Sequence, residues 1–469
     1  MVLSENRRVA LAPPNQPPNE SYASLRSTSA HLLAWILSVL YLLQKKNKKS
    51  SDFFKKIGYD KNQGKGYSMK KAVKFACYAL FFGVLSVYRT ACADSDFESW
   101  KKKFYQEAYR AGISAHVLDQ TVPRMQLLER VIRLDTDKPK YLPNFYDYTG
   151  ARITDNRVQK GREMMQKYPT WLGRVEQKYG VPREYLVAFW GMETNYGGYK
   201  GKVNMLDSLA SLAYHPRRQR FFTNELIAYL KIIEHEPTVA PALGSWDGGF
   251  GHFQFMPTTF LAYAVDGDGN GRRDIVNNIP DAFSSAANYL ASMGWNKNEP
   301  WGREVIVPEN FPTQHLHQHT KKTVADWYSL GVQPRHITAF PAAEQNTMAE
   351  LHMPMGIHGP VFLAYPNFRI IMRWNKSELY AFAVGLLADS LRHQIPCPKP
   401  PPEFQPLETE YIICMQDALR AQGYLSAGSD GRVGPKTRQA LRRFQLENDL
   451  FPDGYPNIKL IEKLGCYNK

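Results

Sequence analysis

Cysteine is scarce, five residues in 469, and the chain has neither a Cys-x-x-Cys pair nor a Cys/His cluster, which excludes a zinc framework. No apolar run reaches the roughly 20 residues that a membrane-spanning helix needs. The two longest, His31 to Leu43 and Phe75 to Tyr88, both stop short, so an anchor is the lesser reading of either. Positive charge is missing where it would matter. The net charge is +15, but residues 1–93 hold 15 Lys/Arg against 4 acids, which leaves residues 94–469 at only +4. A body that weakly basic has no electrostatic footprint for DNA or RNA, and no nucleic-acid partner is expected. Strand signals such as Glu304-Val305-Ile306-Val307 are few, and no internal repeat is visible.

The basic head has its own pattern. Met69-Lys70-Lys71-Ala72-Val73-Lys74 is a positive leader, Phe75 to Tyr88 is an apolar stretch of signal-peptide length, and Ala91-Cys92-Ala93 offers small residues for cleavage. Residues 69–93 are therefore expected to be a signal peptide, and residues 1–68 an over-called, disordered extension. The mature chain would begin at Asp94. A lipoprotein signal is the neighbouring reading, disfavoured by Arg89 where an apolar residue is wanted. Export leaves Cys397, Cys414 and Cys466 in an oxidising compartment. One pair and one free thiol are expected, and spacing does not say which.

The remaining chain reads as mainly α, with room for two or three domains. Helical spacing covers Phe97 to Arg133 and Val158 to Tyr179, where Gly180 stops it. Pro182 then suits the first turn of a helix that is apolar nearly all round, Leu186 to Met192, and should be buried. Further helices are expected at Leu206–Ala213, Arg220–Glu234, Asp281–Met293 and Lys376–Arg392. Five prolines between Pro396 and Pro402 mark an extended linker, residues 396–405, between a catalytic-sized domain (94–395) and a tail (406–467). Three short helices are expected in the tail, at Glu408–Gln422, from Pro435, and at Asn457–Leu464. A bundle of that size gains from a disulfide.

Glu193 is the leading candidate for chemistry. It ends the apolar helix just before Asn195-Tyr196-Gly197-Gly198 breaks it. Apolar surroundings and the negative helix end both favour a protonated carboxyl, which can serve as a general acid. The bland alternative is a glutamate paired with an arginine or pointing into solvent.

The residues around it point further. Gly191-Met192-Glu193-Thr194-Asn195-Tyr196-Gly197, Leu206-Asp207-Ser208-Leu209-Ala210, Pro216-Arg217-Arg218 and Gly251-His252-Phe253-Gln254-Phe255-Met256-Pro257 together resemble the lytic murein transglycosylase B family. Tyr263-Ala264-Val265-Asp266 and Ala287-Asn288-Tyr289-Leu290 continue the match. The resemblance covers roughly residues 97–392 and implies a lysozyme-like α fold with Glu193 as the one catalytic acid. It implies a periplasmic enzyme cleaving peptidoglycan glycan strands between muramic acid and glucosamine units and leaving a 1,6-anhydro end. No cofactor for catalysis is implied, and a monomer is expected. By family position, Ser245 and Gln254 would hydrogen-bond the reacting sugar or position the acid. Tyr148, Tyr289, Asn375 and Tyr380 would line the groove, and Arg217 and Arg218 would meet substrate carboxylates. Singly, each tyrosine is as readily a core residue, and the arginines could be a solvated pair. Trp374 departs from the family's tyrosine. A hydrolytic muramidase and a non-catalytic wall-binding scaffold are the alternatives.

Asp266-Gly267-Asp268-Gly269-Asn270-Gly271 resembles the start of an EF-hand loop, with oxygen donors at alternate positions and glycine at the sixth. The twelfth-position glutamate is absent, Asn277 standing there. In the family a later carboxylate closes the loop, which maps to Asp281, and the ion would be a structural calcium. The alternative is an Asp/Gly-rich turn without metal. In the tail, Asp430-Gly431-Arg432-Val433-Gly434-Pro435-Lys436-Thr437 resembles the peptidoglycan-binding domain 1 family, the alternative being a helical appendage for protein contacts.

Overall fold

The computed structural model describes residues 96–137, 143–238, 240, 242–308, 311–316, 320–402, 404 and 406–466. The expected signal peptide and upstream extension lie outside these residues. Residues 96–106 belong to a unit separate from that of residues 107 onward. There Phe97, Trp100 and Phe104 stack successively at 5.3 Å along one helix face. All described residues from 107 onward belong to the other unit.

That unit is mostly helical and is built around the helix Arg183–Thr194. Every residue from Glu184 to Gly191 is buried, as a helix apolar all round requires. Pro182 is its N-cap, one position ahead of the first-turn place read from the sequence. The helix ends because Asn195 and Tyr196 take left-handed conformations, φ +50° and +61°. Their amides close back on Gly191 and Trp190 carbonyls. The expected single helix over Val158–Tyr179 is two, Asp155–Lys167 and Pro169–Tyr179. Pro169 lacks the amide a continuous helix would use and turns Tyr168 out of helical geometry. The helices Met205–Tyr214, Gln219–His235, Ile279–Ser292 and Glu378–His393 match their expected positions closely.

A sheet is the main departure from the sequence reading. Five antiparallel strands, β3 (Gly302–Ile306), β4 (Lys321–Thr323), β5 (Gln333–Pro334), β6 (Met348–His352) and β7 (Val361–Ala364), stand in the order β4-β6-β7-β3-β5. Val305, Val324, Trp327, Val332, Leu363 and Tyr365 form the core on this sheet. A two-stranded ribbon, β1 (Val203–Asn204) with β2 (Leu243–Gly244), lies elsewhere in the chain.

The tail has its three helices, Thr409–Ala421, Pro435–Glu447 and Ile458–Lys463. Cys414 and Cys466 are bonded and Cys397 is free, which resolves the pairing left open by spacing. A cross-link spanning 52 residues removes about 4 kcal/mol of chain freedom from the unfolded tail on the loop-entropy model. The tail also holds a repeat that the sequence hides. Buried Gln416 donates to Asp430 Oδ1 at 3.1 Å and accepts from the Gly431 amide at 2.8 Å. Buried Gln445 does the same with Asp453 and Gly454, both at 2.8 Å. The two Gln-to-Asp spacings, 14 and 8 residues, differ too much to register as a pattern.

The two Asp-Gly turns have different surroundings. Asp430 is exposed, whereas Asp453 is buried, and its second oxygen accepts the Ile357 amide of the body at 3.1 Å. Gly356 makes the approach possible: a Cβ there would lie 2.6 Å from Asp453 Oδ2. Arg438 adds hydrogen bonds to the Met353 and Pro354 carbonyls. Residues 394–401 carry no helix or strand, and Phe404 packs edge-on against Tyr146 of the body at 5.2 Å.

Candidate active site

Glu193 lies in the last turn of the buried helix, half-exposed at its end. One oxygen, Oε1, accepts two hydrogen bonds: from Trp374 Nε1 at 3.0 Å and from Tyr380 Oη at 2.7 Å. Both donors are buried. Trp374 ends the helix Pro366–Trp374 and Tyr380 begins the next, so one tight connection delivers both. Its indole is clamped by Phe189 at 4.7 Å, Tyr289 at 5.0 Å and Phe255 at 5.5 Å. Indole N–H can only donate, so Oε1 is an acceptor and a proton on this carboxyl sits on Oε2.

The chain beyond Glu193 is pinned from one side by His252. Trp190 Nε1 donates to His252 Nδ1 at 2.9 Å, and Thr194 Oγ1 donates to the His252 carbonyl at 2.8 Å. The Gly197 amide donates to the same Thr194 hydroxyl at 3.0 Å. A Cβ on Gly197 would stand 2.5 Å from the imidazole, so only glycine fits. Accepting through Nδ1 requires a neutral ring, and burial, with Lys200 nearby, pushes its pKa down to about 4. Sequence reasoning gave His252 no role, because its partners Trp190 and Thr194 lie 62 and 58 residues away.

Ser245 follows the strand Leu243–Gly244, and Gln254 lies on the turn between Phe250 and Phe255. The Ser245 hydroxyl lies 2.5 Å from Asp247 Oδ1 and accepts from the Gly249 amide at 2.8 Å. Gln254 is buried at φ +51°, and its Nε2 donates to the Lys200 carbonyl at 3.2 Å and the Gly251 carbonyl at 3.0 Å. Its amide nitrogen therefore braces the loop after Glu193.

The remaining expected residues divide. Tyr380 meets Glu193 directly. Tyr148 is half-buried on the helix Phe145–Gly150, with the Arg152 guanidinium 3.6 Å above its ring. Asn375 is buried, and its Oδ1 accepts the Ser377 amide at 3.2 Å, ordering the Trp374–Tyr380 connection. Tyr289, expected to line the groove, is buried behind Trp374, and its hydroxyl donates to the Arg373 carbonyl at 3.1 Å. Burial pushes that hydroxyl up to about 12. Arg217 and Arg218, expected to face substrate carboxylates, both hold the buried carboxylate of Asp135. An acid shut away from water needs such partners, which gives the pair a structural task. Arg217 remains half-exposed at 53%.

Asp266, Asp268 and Asp281 bring carboxylate oxygens within 4.8 Å of one another. Asp281 is buried and receives the Gly267 and Asp274 amides at 2.7 and 2.8 Å, so it closes the loop from beneath. Burial, then the Asp268 and Asp266 charges, raise its carboxyl to about 6. Asn270 is exposed, and its Oδ1 accepts the Arg272 amide at 3.0 Å.

Comparison with known proteins agrees with this arrangement. Residues 96–389 match the transglycosylase SLT domain family, and residues 410–464 match a peptidoglycan binding domain family. The membrane-bound lytic murein transglycosylase B of Escherichia coli K12 is 32% identical over 293 residues, covering 60% of this chain and 79% of its own. SltB3 from Pseudomonas aeruginosa, solved with NAG-anhNAM-pentapeptide, is 38% identical and covers 79% of this chain and 99% of its own, with a TM-score of 0.73. The Escherichia coli lytic transglycosylase Slt35, solved with calcium, is 29% identical and covers 62% of this chain and 92% of its own, with a TM-score of 0.53. A buried helix ending in a doubly held glutamate, and a family match over most of the body, lead to one assignment: the chain belongs to the transglycosylase SLT domain family.

Proposed function

We propose that this chain is a lytic transglycosylase that cuts the β-1,4 bond between N-acetylmuramic acid and N-acetylglucosamine in peptidoglycan. The observation that carries the reading is the pair of buried donors on Glu193, Trp374 Nε1 and Tyr380 Oη, both meeting Oε1 at the end of the buried helix. Oε2 gives its proton to the glycosidic oxygen as the bond to the muramic carbon breaks. The substrate's N-acetyl group steadies the resulting cation. The muramic 6-hydroxyl then attacks that carbon and returns its proton to Oε2, leaving a 1,6-anhydro end. Water takes no part, and no second carboxylate is required, unlike the two-acid glycosidase scheme. Ser245 and Gln254 order their turns, while Tyr148 and Tyr380 flank the groove. Residues 410–464 hold the wall, in line with the family they match.

Digestion of purified sacculi followed by mass analysis tests the reaction. Fragments about 18 Da lighter than hydrolysed ones, one water, are expected. Reducing ends would mean a hydrolytic muramidase, and no release a wall-binding scaffold.

The loop of Asp266, Asp268, Asn270 and Asp281 suits a structural calcium ion. Three carboxylates converge there, with Asp281 buried and held by the Gly267 and Asp274 amides, a hard oxygen donor set of the kind calcium takes. Bound there, the ion neutralises the crowded charge and ties the loop to the helix Ile279–Ser292. Saturating calcium should raise the melting temperature by about 5 °C. An equal rise in Asp281→Asn would remove the ion from this loop.

A periplasmic location follows from the substrate. The Escherichia coli relative is named membrane-bound, and no helix among the described residues is long and apolar enough to cross a membrane.

A further inference from the structure

The segment after the acid, residues 197–201, is fixed at almost every backbone position. The Tyr199 amide donates to the Thr194 carbonyl at 3.0 Å. The Lys200 carbonyl is held by Gln254, and its Nζ reaches the Val276 carbonyl at 2.6 Å. Gly201 then crosses Gly244 so closely that a Cβ would stand 2.0 Å from the Gly244 carbonyl carbon. Beyond the crossing, Val203 pairs with Gly244 and Asn204 with Leu243.

Two large apolar side chains leave this rigid crossing for solvent. Tyr199 is 60% exposed, on the arm that comes from Glu193, and Leu243 is 53% exposed, on the arm that leads into Ser245. Among the described residues the Tyr199 ring stacks on no other aromatic and its hydroxyl has no hydrogen-bond partner. Nothing in the fold uses the ring, yet the backbone beneath it is braced by Gln254 and Thr194. A single exposed leucine needs no explanation. An aromatic held out on a fixed backbone, six residues from the acid, does.

We propose that Tyr199 is an apolar platform for a pyranose ring of the glycan strand, adjoining the position of the cut. One face of such a ring presents C–H groups, which the negative π face of tyrosine attracts. A fixed backbone and two side-chain torsions keep the ordering cost low. The inference rests on the reading of Glu193 as the acid, which sets where the strand runs.

The test compares the full chain with Tyr199→Ala and Tyr199→Trp on a soluble, peptide-free tetrasaccharide of alternating N-acetylglucosamine and N-acetylmuramic acid. Tyr199→Ala should raise KM about tenfold while kcat changes far less, and Tyr199→Trp should bring KM back toward the parent value. The same tetrasaccharide titrated into Glu193→Gln, with and without Tyr199→Ala, should show a matching loss of affinity. Unchanged KM and affinity in Tyr199→Ala would overturn the platform, as would a fall in kcat alone. A KM effect seen only with peptide-bearing strands would overturn it too, placing a stem peptide on the ring. If the parent cleaves nothing but its binding still depends on Tyr199, the platform stands and the reading of Glu193 falls.

Discussion

Glu193→Gln should release fragments from sacculi at a rate lower by about 10²–10⁴-fold, the range general acid–base catalysis supplies. The substitution is nearly isosteric, and a carboxamide oxygen can still accept from Trp374 and Tyr380, so the local fold should survive. What disappears is the proton on Oε2. An amide cannot deliver one to a leaving oxygen, nor take one back from the muramic 6-hydroxyl. Retention on sacculi should be unchanged, because residues 410–464 are untouched. Fragment release within tenfold of the parent, at normal stability, would mean that another group is the acid.

Stability should fall by about 3 kcal/mol between pH 6.5 and pH 4 through His252 alone. The imidazole is buried against Trp190, with Lys200 on one side and Asp274 more distantly opposing it, and its folded pKa is lowered to about 4. Above pH 6.5 the ring is neutral in both the folded and unfolded chain and contributes no slope. As pH drops below 6.5 the unfolded chain binds a proton that the folded chain cannot, so unfolding becomes easier by about 1.4 kcal/mol per pH unit. Near pH 4 the folded ring protonates too, the Trp190 hydrogen bond is lost, and the slope ends. Denaturant titrations across this window should therefore give a flatter curve for His252→Gln than for the parent. Parallel curves would show that the ring does not titrate as its surroundings require.

Much of the helical frame was legible because it rests on local pattern. The run from Leu186 to Met192 announces a buried helix, Asn195 and the glycines after it announce its end, and Glu193 stands between. The metal-type loop was legible for the same reason, since Asp266, Asp268 and Asn270 alternate along one turn. What escaped depends on distant pairings. Trp374 was noticeable only as a departure from a family tyrosine, yet it holds the acid from 181 residues away. Arg217 and Arg218 gave no sign of Asp135, 82 and 83 residues earlier, so a charged pair facing substrate was the natural reading. The five-stranded sheet escaped because its strands are two to five residues long, too short for an alternating pattern to rise above its surroundings.

The buried Asp453 turn bears on how the tail helps the enzyme. A binding module on a slack tether raises the local concentration of its partner by an amount set by tether length. Here Asp453, Arg438 and Phe404 seat the module on the body. With residues 410–464 gripping the wall as the family they match implies, the scissors would arrive at a fixed offset from the grip. Avidity then comes from rigid geometry, and the length of the proline run has little say in it.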